Sequence, residues 1–383
     1  MSGSLDRTRV TAEDRARALV PRFAAAAAAH DRDASFPFEN FSALREARLL
    51  ALRTPRALGG DGAGLRTAAR VTGLVAQGEP ATALVLAMHY IHQAAIARST
   101  RWPAHLTEWV GREADHALIN ALRVEPELGS PARGGLPATT ATRCDDGWHL
   151  SGRKIYSTGS PVLSWYLVWS RTSDESPLVG QFLVPAGLPG TRIEETWDHV
   201  GLRASASHDV VFEDVVIPHD HAVDLRAPSA WTPADARAQH VENGIMLAAL
   251  YDGIGRAARD WLVGFLKTRV PSSLGTPLAT LPRSQEVVGR IEVLLRTNAR
   301  LVDSFAAEAD AGANPKAEDA HVIKSVVTNN AVEVCDLALS LCGNHGLTRA
   351  NPLERHLRDA LCGRVHTPQD DSVRTMLGRA ALA

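Results

Sequence analysis

The sequence predicts a mainly helical protein in which a central β domain separates two helical domains. Apolar residues recur at helical spacing in the first and last parts of the chain, and aromatic and β-branched runs lie between them. With 383 residues the chain is also too long for one simple core. We expect an N-terminal helical domain at residues 1–115, a middle β-barrel domain at 116–225 and a C-terminal helical bundle domain at 226–383.

The first block has the residue pattern of packed helices. Phe38, Phe41 and Leu44 lie at helical spacing, and residues 81–96 are apolar nearly all round, as in a buried helix. Residues 59–64 contain four glycines, so this segment is predicted to be a loop rather than a regular element.

The residue types change to strand-forming ones between residues 116 and 225. Prolines and a Pro189-Gly190 pair separate short runs of aromatic and β-branched residues. Strands at this spacing favour a compact antiparallel barrel or sandwich. The predicted strands are residues 148–152, 165–170, 181–184, 192–196 and 209–217.

The last block is predicted to be helical again. Apolar residues keep one helical face through residues 288–305 and another through residues 322–341. We expect four long amphipathic helices, which usually form a bundle. A bundle beside a β domain leaves a crevice, and such interfaces are where cofactors and small ligands usually bind.

Composition excludes several classes of function. The formal net charge of −2 argues against a surface for nucleic acid or anionic membranes. The N-terminus has no signal-peptide pattern, and the apolar run at residues 23–29 is too short to span a bilayer, so a cytoplasmic location is expected by elimination. None of the four cysteines lies in a C-x-x-C pair, so no metal site is predicted.

Several segments, in order along the chain, resemble the acyl-CoA dehydrogenase superfamily. Each match alone is weak, but the ordered set is specific and extends over most of the chain. The segments are V-E-P-E-L-G-S at residues 124–130, the G-x-x-x-x-G-x-K type hairpin at 146–159, W-D-H-V-G-L-R-A-S-A-S at 197–207 with the strand after it, C-G-N-H-G-L at 342–347 and P-L-E-R-H-L-R-D at 352–359.

This resemblance implies FAD as the cofactor. The flavin ring needs hydrogen-bond donors along its polar edge, and loops at strand ends supply them. In the family the aromatic residue of the second loop flanks the flavin and the Thr hydroxyl faces its N5 atom. An ordinary strand pair is the alternative interpretation of Tyr156 and Thr158. The implied contacts are Val124, Gly129 and Ser130 from the first loop, and Tyr156, Ser157 and Thr158 from the second.

The resemblance also implies a site for the pyrophosphate and adenosine of FAD. Arg269 matches a family arginine at the end of the first helix after the β domain. The turn containing Gly343, Asn344 and Gly346 matches one that a neighbouring subunit supplies, and glycine lets backbone N–H groups approach phosphate. A glycine-terminated helix is the alternative interpretation. Ser340 stands where the family often has Gln.

The sequence departs from the family at the catalytic base. A dehydrogenase removes the α-proton of a thioester with a carboxylate, usually a Glu shortly after the R-D pair. Thr367 occupies that position here, and a neutral Thr cannot take up the proton. A second base position, used by part of the family, falls on Asn243. Glu242 is one residue away, about 100° around a helix, so it serves as the alternative base only if the register shifts by one.

His366, which precedes Thr367, suggests a different chemistry. A branch of the superfamily uses reduced flavin to activate dioxygen, and its members carry a histidine-containing segment at this place. A histidine there could donate a proton to oxygen or take one from the substrate. A structural histidine before a proline turn is the alternative interpretation. Asp370 and Asp371 nearby are predicted to be acids of a helix N-terminus, favoured by the helix dipole.

These residues leave three functions open. We slightly favour a two-component monooxygenase of a small organic substrate, which takes FAD or FMN and needs a flavin reductase because no G-x-G-x-x-G fingerprint is present. An acyl-CoA or acyl-carrier-protein dehydrogenase with a relocated base would instead use an electron-transfer flavoprotein. A catalytically idle binding subunit is the third possibility. The resemblance implies a homotetramer or dimer.

Overall fold

The structure, a computed structural model, describes residues 10–128 and 135–383. Gly129 and Ser130, two of the expected flavin contacts, lie outside the described residues.

Five helices precede the sheet. Thr11 begins the first with a capping box to Asp14, and Glu79 caps the fourth by accepting hydrogen bonds from two backbone N–H groups. The fourth helix is buried nearly all round, which confirms the prediction for residues 81–96. The helices are α1 (Ala12–Asp33), α2 (Phe38–Glu46), α3 (Leu65–Gly78), α4 (Pro80–Arg98) and α5 (Ala104–Glu113).

Eight strands form one sheet among the described residues. The strands are β1 (Leu118–Leu122), β2 (Thr140–Cys144), β3 (Gly147–Lys154), β4 (Leu163–Thr172), β5 (Val179–Pro185), β6 (Thr191–Glu194), β7 (Asp209–Ile217) and β8 (Ala222–Arg226). Their order is β6-β7-β3-β2-β4-β5-β8, with β1 paired to β4. The predicted antiparallel pairing holds for five of the seven strand pairs, but β1 and β2 both run parallel to β4. The physical reason is that these strands reach β4 through crossovers rather than hairpins.

The chain after the sheet forms helices α6 (Pro233–Thr268), α7 (Pro282–Asp310), α8 (Ala317–Cys342), α9 (Asn344–Leu347), α10 (Leu353–Leu361) and α11 (Asp370–Leu382). Only α6, α7 and α8 are long, with 36, 29 and 26 residues, so the expectation of four long helices was wrong. The short helix α10 packs against α6 and α8 and takes the fourth place. The chain cannot continue α8 in one line because Gly343 adopts a φ of 54°.

One apolar core joins the helices to the inner face of the sheet. It contains the fully buried rings of Tyr90, Phe182, Phe212 and Tyr251. Helices α3 and α4 pack on α6, so the first and last helical blocks share this core. A smaller cluster lies between α5, the end of α4 and the other face of β1 and β4. The described helices include none that is long and apolar enough to cross a membrane.

Candidate functional site

An aromatic wall stands where β3 ends. Tyr156 follows that strand with a φ of 56°, a left-handed conformation that non-glycine residues rarely adopt. Its side chain is 54% exposed although it lies beside the core. The ring meets Trp197 and His199 edge-on at 6.2 and 6.1 Å, and those two rings stack on each other at 3.6 Å. This wall presents partly exposed, flat aromatic surface, as a ring-shaped ligand requires.

A row of hydroxyl groups lies beside the aromatic wall. The Oγ atoms of Thr158 and Ser207 are hydrogen-bonded at 3.0 Å, and those of Ser205 and Ser207 at 2.8 Å. Ser157 is fully buried, and its Oγ has no partner among the described residues. Because a buried polar atom without a partner costs free energy, this hydroxyl points to a ligand. The residues present therefore fit the polar edge of a flavin.

The strand-end segments are locked to one another and to α4. Val124 accepts a hydrogen bond from the Ile155 N–H at 2.9 Å, and the Asn120 amide donates to the Thr158 carbonyl at 3.1 Å. Gly159 has a φ of 76°, and a Cβ there would lie 2.7 Å from Val85 on α4. The structure thus brings Val124, Ser157 and Thr158 together, as the sequence predicts, although their contact with a cofactor stays a prediction.

A buried ion pair supports this corner of the sheet. Lys154 and Glu125 are both buried, and the Lys154 Nζ lies 2.5 Å from the Glu125 Oε1. The same carboxylate accepts hydrogen bonds from the backbone of Ala138 and from the backbone and hydroxyl of Thr139. Burial lowers the pKa of Lys154 to about 8. Glu125 therefore joins the end of β3 to the start of β2.

His366 is held in one tautomer. The Tyr251 hydroxyl lies 2.7 Å from the His366 Nδ1. Burial raises the pKa of Tyr251 well above its usual value and lowers the pKa of His366 to about 4. At neutral pH the tyrosine is therefore the donor, Nδ1 is the acceptor, and Nε2 carries the imidazole proton. A neutral histidine of this kind can donate a hydrogen bond at Nε2 but cannot accept one there.

Lys324, which the sequence analysis missed, holds the loop that carries His366. Its buried ammonium donates to the carbonyls of Gly363, His366 and Pro368 at 2.6, 2.8 and 3.0 Å. Burial lowers its pKa to about 8. One signal was available: Lys324 lies on the same face of α8 as Val327, at helical spacing, so its side chain had to enter the core.

Thr367 and Glu242 differ in their surroundings. Thr367 is exposed on the loop after His366. Glu242 is 6% exposed, and its Oε1 lies 2.6 Å from Arg53 and 2.9 Å from Arg98. Protonating this carboxylate would leave two guanidinium groups without their counter-charge, so the geometry favours a structural ion pair. Its role as the alternative base stays a prediction.

The expected adenosine contacts lie at the other end of α6. Arg269 caps the C-terminus of that helix and is exposed. The ring of His345, within the glycine turn, lies 5.2 Å from Phe265, one turn before Arg269. Eighteen residues separate Tyr251 from Arg269, a rise of about 27 Å along the helix. Within one chain the structure therefore brings the end of α6, where Arg269 lies, close to the glycine turn that contains His345.

Asp359 docks the segment at residues 197–207 on α10. Its carboxylate accepts a hydrogen bond from the Leu202 N–H at 2.6 Å, and the Trp197 indole donates to the Leu202 carbonyl. The aromatic wall is thereby tied to the helix that leads to His366. Asp359 is buried, and this burial raises its pKa from 3.8 to about 7.

This raised pKa predicts a pH-dependent stability. Between pH 3.8 and 7 the folded protein keeps a proton on Asp359 that the unfolded chain has lost. The free energy of unfolding therefore falls as the pH rises through this window. Asp359→Asn keeps an acceptor for Leu202 without the charge. We expect the variant to exceed wild type in stability by up to about 4 kcal/mol at pH 8 and to match it near pH 4. Thermal unfolding at both pH values measures this, and identical pH profiles would contradict it.

An exposed cluster at the β2–β3 turn contains residues that can ligate metals. Ligand atoms of Cys144, Asp146 and His149 lie within 4.8 Å of one another. Both ring nitrogens of His149 face carboxylates, those of Asp146 and Asp214, at 2.9 and 2.8 Å. These hydrogen bonds, the one from Asp146 foremost, raise the pKa of His149. The hydrogen bonds between His149 and the two carboxylates account for the cluster as a hydrogen-bonded turn.

The acyl-CoA dehydrogenase family models match nearly the whole chain. The N-terminal domain matches residues 8–100, the middle domain residues 123–215 and the C-terminal domain residues 242–382. A putative acyl-CoA dehydrogenase of Bacillus subtilis (strain 168), YdbM, is 33% identical over 362 residues, which cover 93% of this chain and 92% of the relative. The chain belongs to the acyl-CoA dehydrogenase family. As a family member it is a flavin-dependent oxidoreductase, which confirms the predicted fold class, cofactor type and enzyme class.

The relatives of this acyl-CoA dehydrogenase family member are named for different activities. L-evernosamine nitrososynthase of a Micromonospora species is 29% identical over 387 residues, covering 97% of this chain and 90% of the relative. The structure of KijD3 in complex with FMN and a dTDP-linked amino keto sugar has a TM-score of 0.85 at 28% identity and covers 98% of this chain and 95% of KijD3. Butyryl-CoA dehydrogenase of Megasphaera elsdenii, at 22% identity and a TM-score of 0.86 over 100% of both chains, supports the fold alone.

Proposed function

We propose that this protein is a flavin-dependent monooxygenase of a small polar substrate, supplied with reduced flavin by a separate reductase. The observation that carries the proposal is the residue pair at the catalytic position. Thr367 is neutral, and His366 bears its proton on Nε2 while Tyr251 donates to Nδ1. Such a site donates a hydrogen bond and lacks the carboxylate that would remove an α-proton.

The nearby carboxylates of the described chain support this assignment because each already has partners. Glu242 is paired with two arginines. Asp359 is buried and accepts the Leu202 N–H. Asp370 and Asp371 lie in the first turn of α11, as predicted, and Asp370 accepts hydrogen bonds from Ser325 and Asn329.

The similarity to nitrososynthases also supports oxygen chemistry. A nitroso group carries oxygen on nitrogen, so the names of these relatives describe an oxidised nitrogen. The KijD3 structure holds FMN, which makes FMN a candidate beside FAD for this chain. Three nitrososynthases are 26–29% identical to this chain, against 33% for YdbM, and each match covers 90% of the chain or more.

Four residues of the chain, Tyr156, Trp197, Thr158 and His366, would bind the flavin ring or donate a proton during the reaction. When bound, the flavin supplies the two electrons that reduce oxygen. Tyr156 and Trp197 flank the ring, and Thr158 donates or accepts through its hydroxyl at the polar edge. His366 donates from Nε2 into the cleft, while Tyr251 fixes its ring by donating to Nδ1.

An acyl-thioester dehydrogenase is the second candidate. The 33% identity to a putative acyl-CoA dehydrogenase favours it, and so does the buried carboxylate of Glu242 beside the predicted base position. In that reaction an electron-transfer flavoprotein would take the place of the reductase.

We also propose a homo-oligomer in which the partner subunit's glycine turn completes the nucleotide end of the cofactor site. The match of the C-terminal part of the chain to the family supports this, because a neighbouring subunit supplies the corresponding turn in the family.

Anaerobic mixing separates the two candidates. Oxidised, flavin-loaded protein is mixed with butyryl-CoA and longer acyl-CoA compounds, and the flavin absorbance is followed. We expect no bleaching, because the carboxylates considered above, all in the described part of the chain, already have partners and none is free to start dehydrogenation. Bleaching would establish the dehydrogenase and remove the monooxygenase proposal.

His366→Ala is expected to slow the reaction of reduced, flavin-loaded protein with oxygen by about 100-fold, since a positioned proton donor contributes at least this much. Stopped-flow recovery of the oxidised flavin spectrum measures the rate. With its pKa near 4, His366 stays neutral above pH 5, so the wild-type rate should be flat between pH 5.5 and 8. The exposed His116→Ala is the control. An unchanged rate in His366→Ala would remove this residue from the mechanism.

A further inference from the structure

Arg123 carries a positive charge that nothing in the described residues balances. Its guanidinium carbon lies 4.6 Å from the centre of the Trp169 ring, and the side chain is partly buried. Burial lowers its pKa to about 10, so the group is still charged at neutral pH. Between residues 10 and 128 and from 135 onward it has no ion pair and no hydrogen bond.

The groups around Arg123 add donors rather than negative charge. His92 on α4 is buried, and its pKa falls to about 3 because of burial and the nearby Arg123. His240 on α6 also has a pKa lowered by burial and by Arg123, and its ring lies 5.4 Å from that of His321 on α8. The neutral rings of His92 and His240 can donate or accept hydrogen bonds without cancelling the charge of Arg123.

Three acids of the described chain, Glu125, Glu242 and Glu318, are already paired or exposed. Glu125 is bound to Lys154, and Glu242 to Arg53 and Arg98. Glu318, at the start of α8, is exposed, and its negative charge opposes the lowering of the pKa of His240 and of His321. Arg123 therefore has no counter-ion in the described chain, and its burial is a cost to the folded protein unless a ligand supplies the charge.

Arg123 lies next to the predicted flavin loop. It directly precedes Val124, the first residue of the predicted flavin loop. A molecule held by Arg123 would thus lie beside the cofactor loop.

We propose that Arg123 binds an oxyanion of the substrate, either a carboxylate or a phosphoryl group, and that the enzyme acts on anionic small molecules. The proposal rests on the function proposed above, because it names the substrate class of that same site. A guanidinium presents a planar fork of donors that matches both groups. Stacking on Trp169 holds this fork in place and leaves its N–H groups free for the anion.

The test measures binding without turnover. We compare the Tm of three oxidised, flavin-loaded proteins: wild type, Arg123→Met and the exposed control Arg143→Met. Each is measured in chloride, in inorganic phosphate and in acetate at equal ionic strength. We expect phosphate or acetate to raise the Tm of wild type and Arg143→Met by roughly 2 °C or more near ten times Kd, and to leave Arg123→Met unchanged. A larger effect of phosphate assigns a phosphoryl group, and a larger effect of acetate assigns a carboxylate.

A second readout separates ligand binding from a structural role. If Arg123 is kept for its ligand, Arg123→Met in chloride should melt at or above the temperature of wild type, because an unbalanced charge has been removed. A clear fall in Tm would show that the stacked arginine is structural and would overturn the proposal. An equal anion response in Arg123→Met and wild type would overturn it as well. Neither result depends on the oxygen reaction, so failure here leaves the acyl-CoA and His366 experiments to decide the function.

Discussion

Glu125→Gln is expected to lower the free energy of unfolding by about 3–5 kcal/mol. The substitution leaves the Lys154 ammonium buried without its carboxylate, with the Trp169 carbonyl as its remaining strong acceptor. It also replaces the charged acceptor of the Ala138 and Thr139 N–H groups with a neutral amide, which weakens these hydrogen bonds. We expect a clear fall in Tm and weaker flavin binding, since Val124 is the adjacent residue. Thermal unfolding and flavin titration measure these two effects.

Glu127→Gln is the matched control, because Glu127 lies two residues further on and is exposed. A double variant, Glu125→Leu with Lys154→Met, should be more stable than Glu125→Gln, since it removes both buried charges instead of leaving one alone. If Glu125→Gln melts at the same temperature as Glu127→Gln, the ion pair does not hold this corner of the sheet.

Lys324→Met is expected to have the second large effect. It removes the donor shared by the carbonyls of Gly363, His366 and Pro368, at a cost of about 2–4 kcal/mol. The loop should then lose its fixed position, and His366 its alignment with Tyr251. We therefore expect a lower Tm together with slower flavin reoxidation, approaching the rate of His366→Ala.

The matched control is Lys267→Met, which removes an exposed lysine from α6. The two readouts also distinguish positioning from stability alone. Lowering the assay temperature should restore the fold of Lys324→Met but not its reoxidation rate. A variant that is folded and reacts with oxygen as fast as wild type would show that Lys324 does not position His366.

The pattern along the chain was sufficient for the architecture. Apolar spacing and residue type predicted the order of helical, β and helical blocks, and the strand at residues 209–217 was predicted with the bounds that β7 has. The ordered motifs indicated the family, and the motif count placed Thr367 where the family usually has its base, which stays a prediction. The parallel pairing of β4 and the shortness of α10 were not predicted, because pairing direction depends on crossovers that local patterns do not record.

The charges of the site were decided by the tertiary structure alone. Glu242 is one residue from a predicted base position in the sequence, yet it meets Arg53, 189 residues earlier, and so becomes part of an ion pair. Arg123 and Lys324 are ordinary cations in the sequence, but the fold gives the first no counter-ion among the described residues and gives the second three carbonyls. Helix and strand formation follow from neighbouring residues, so a sequence determines them locally. Charge balance depends on residues that only the folded chain brings together.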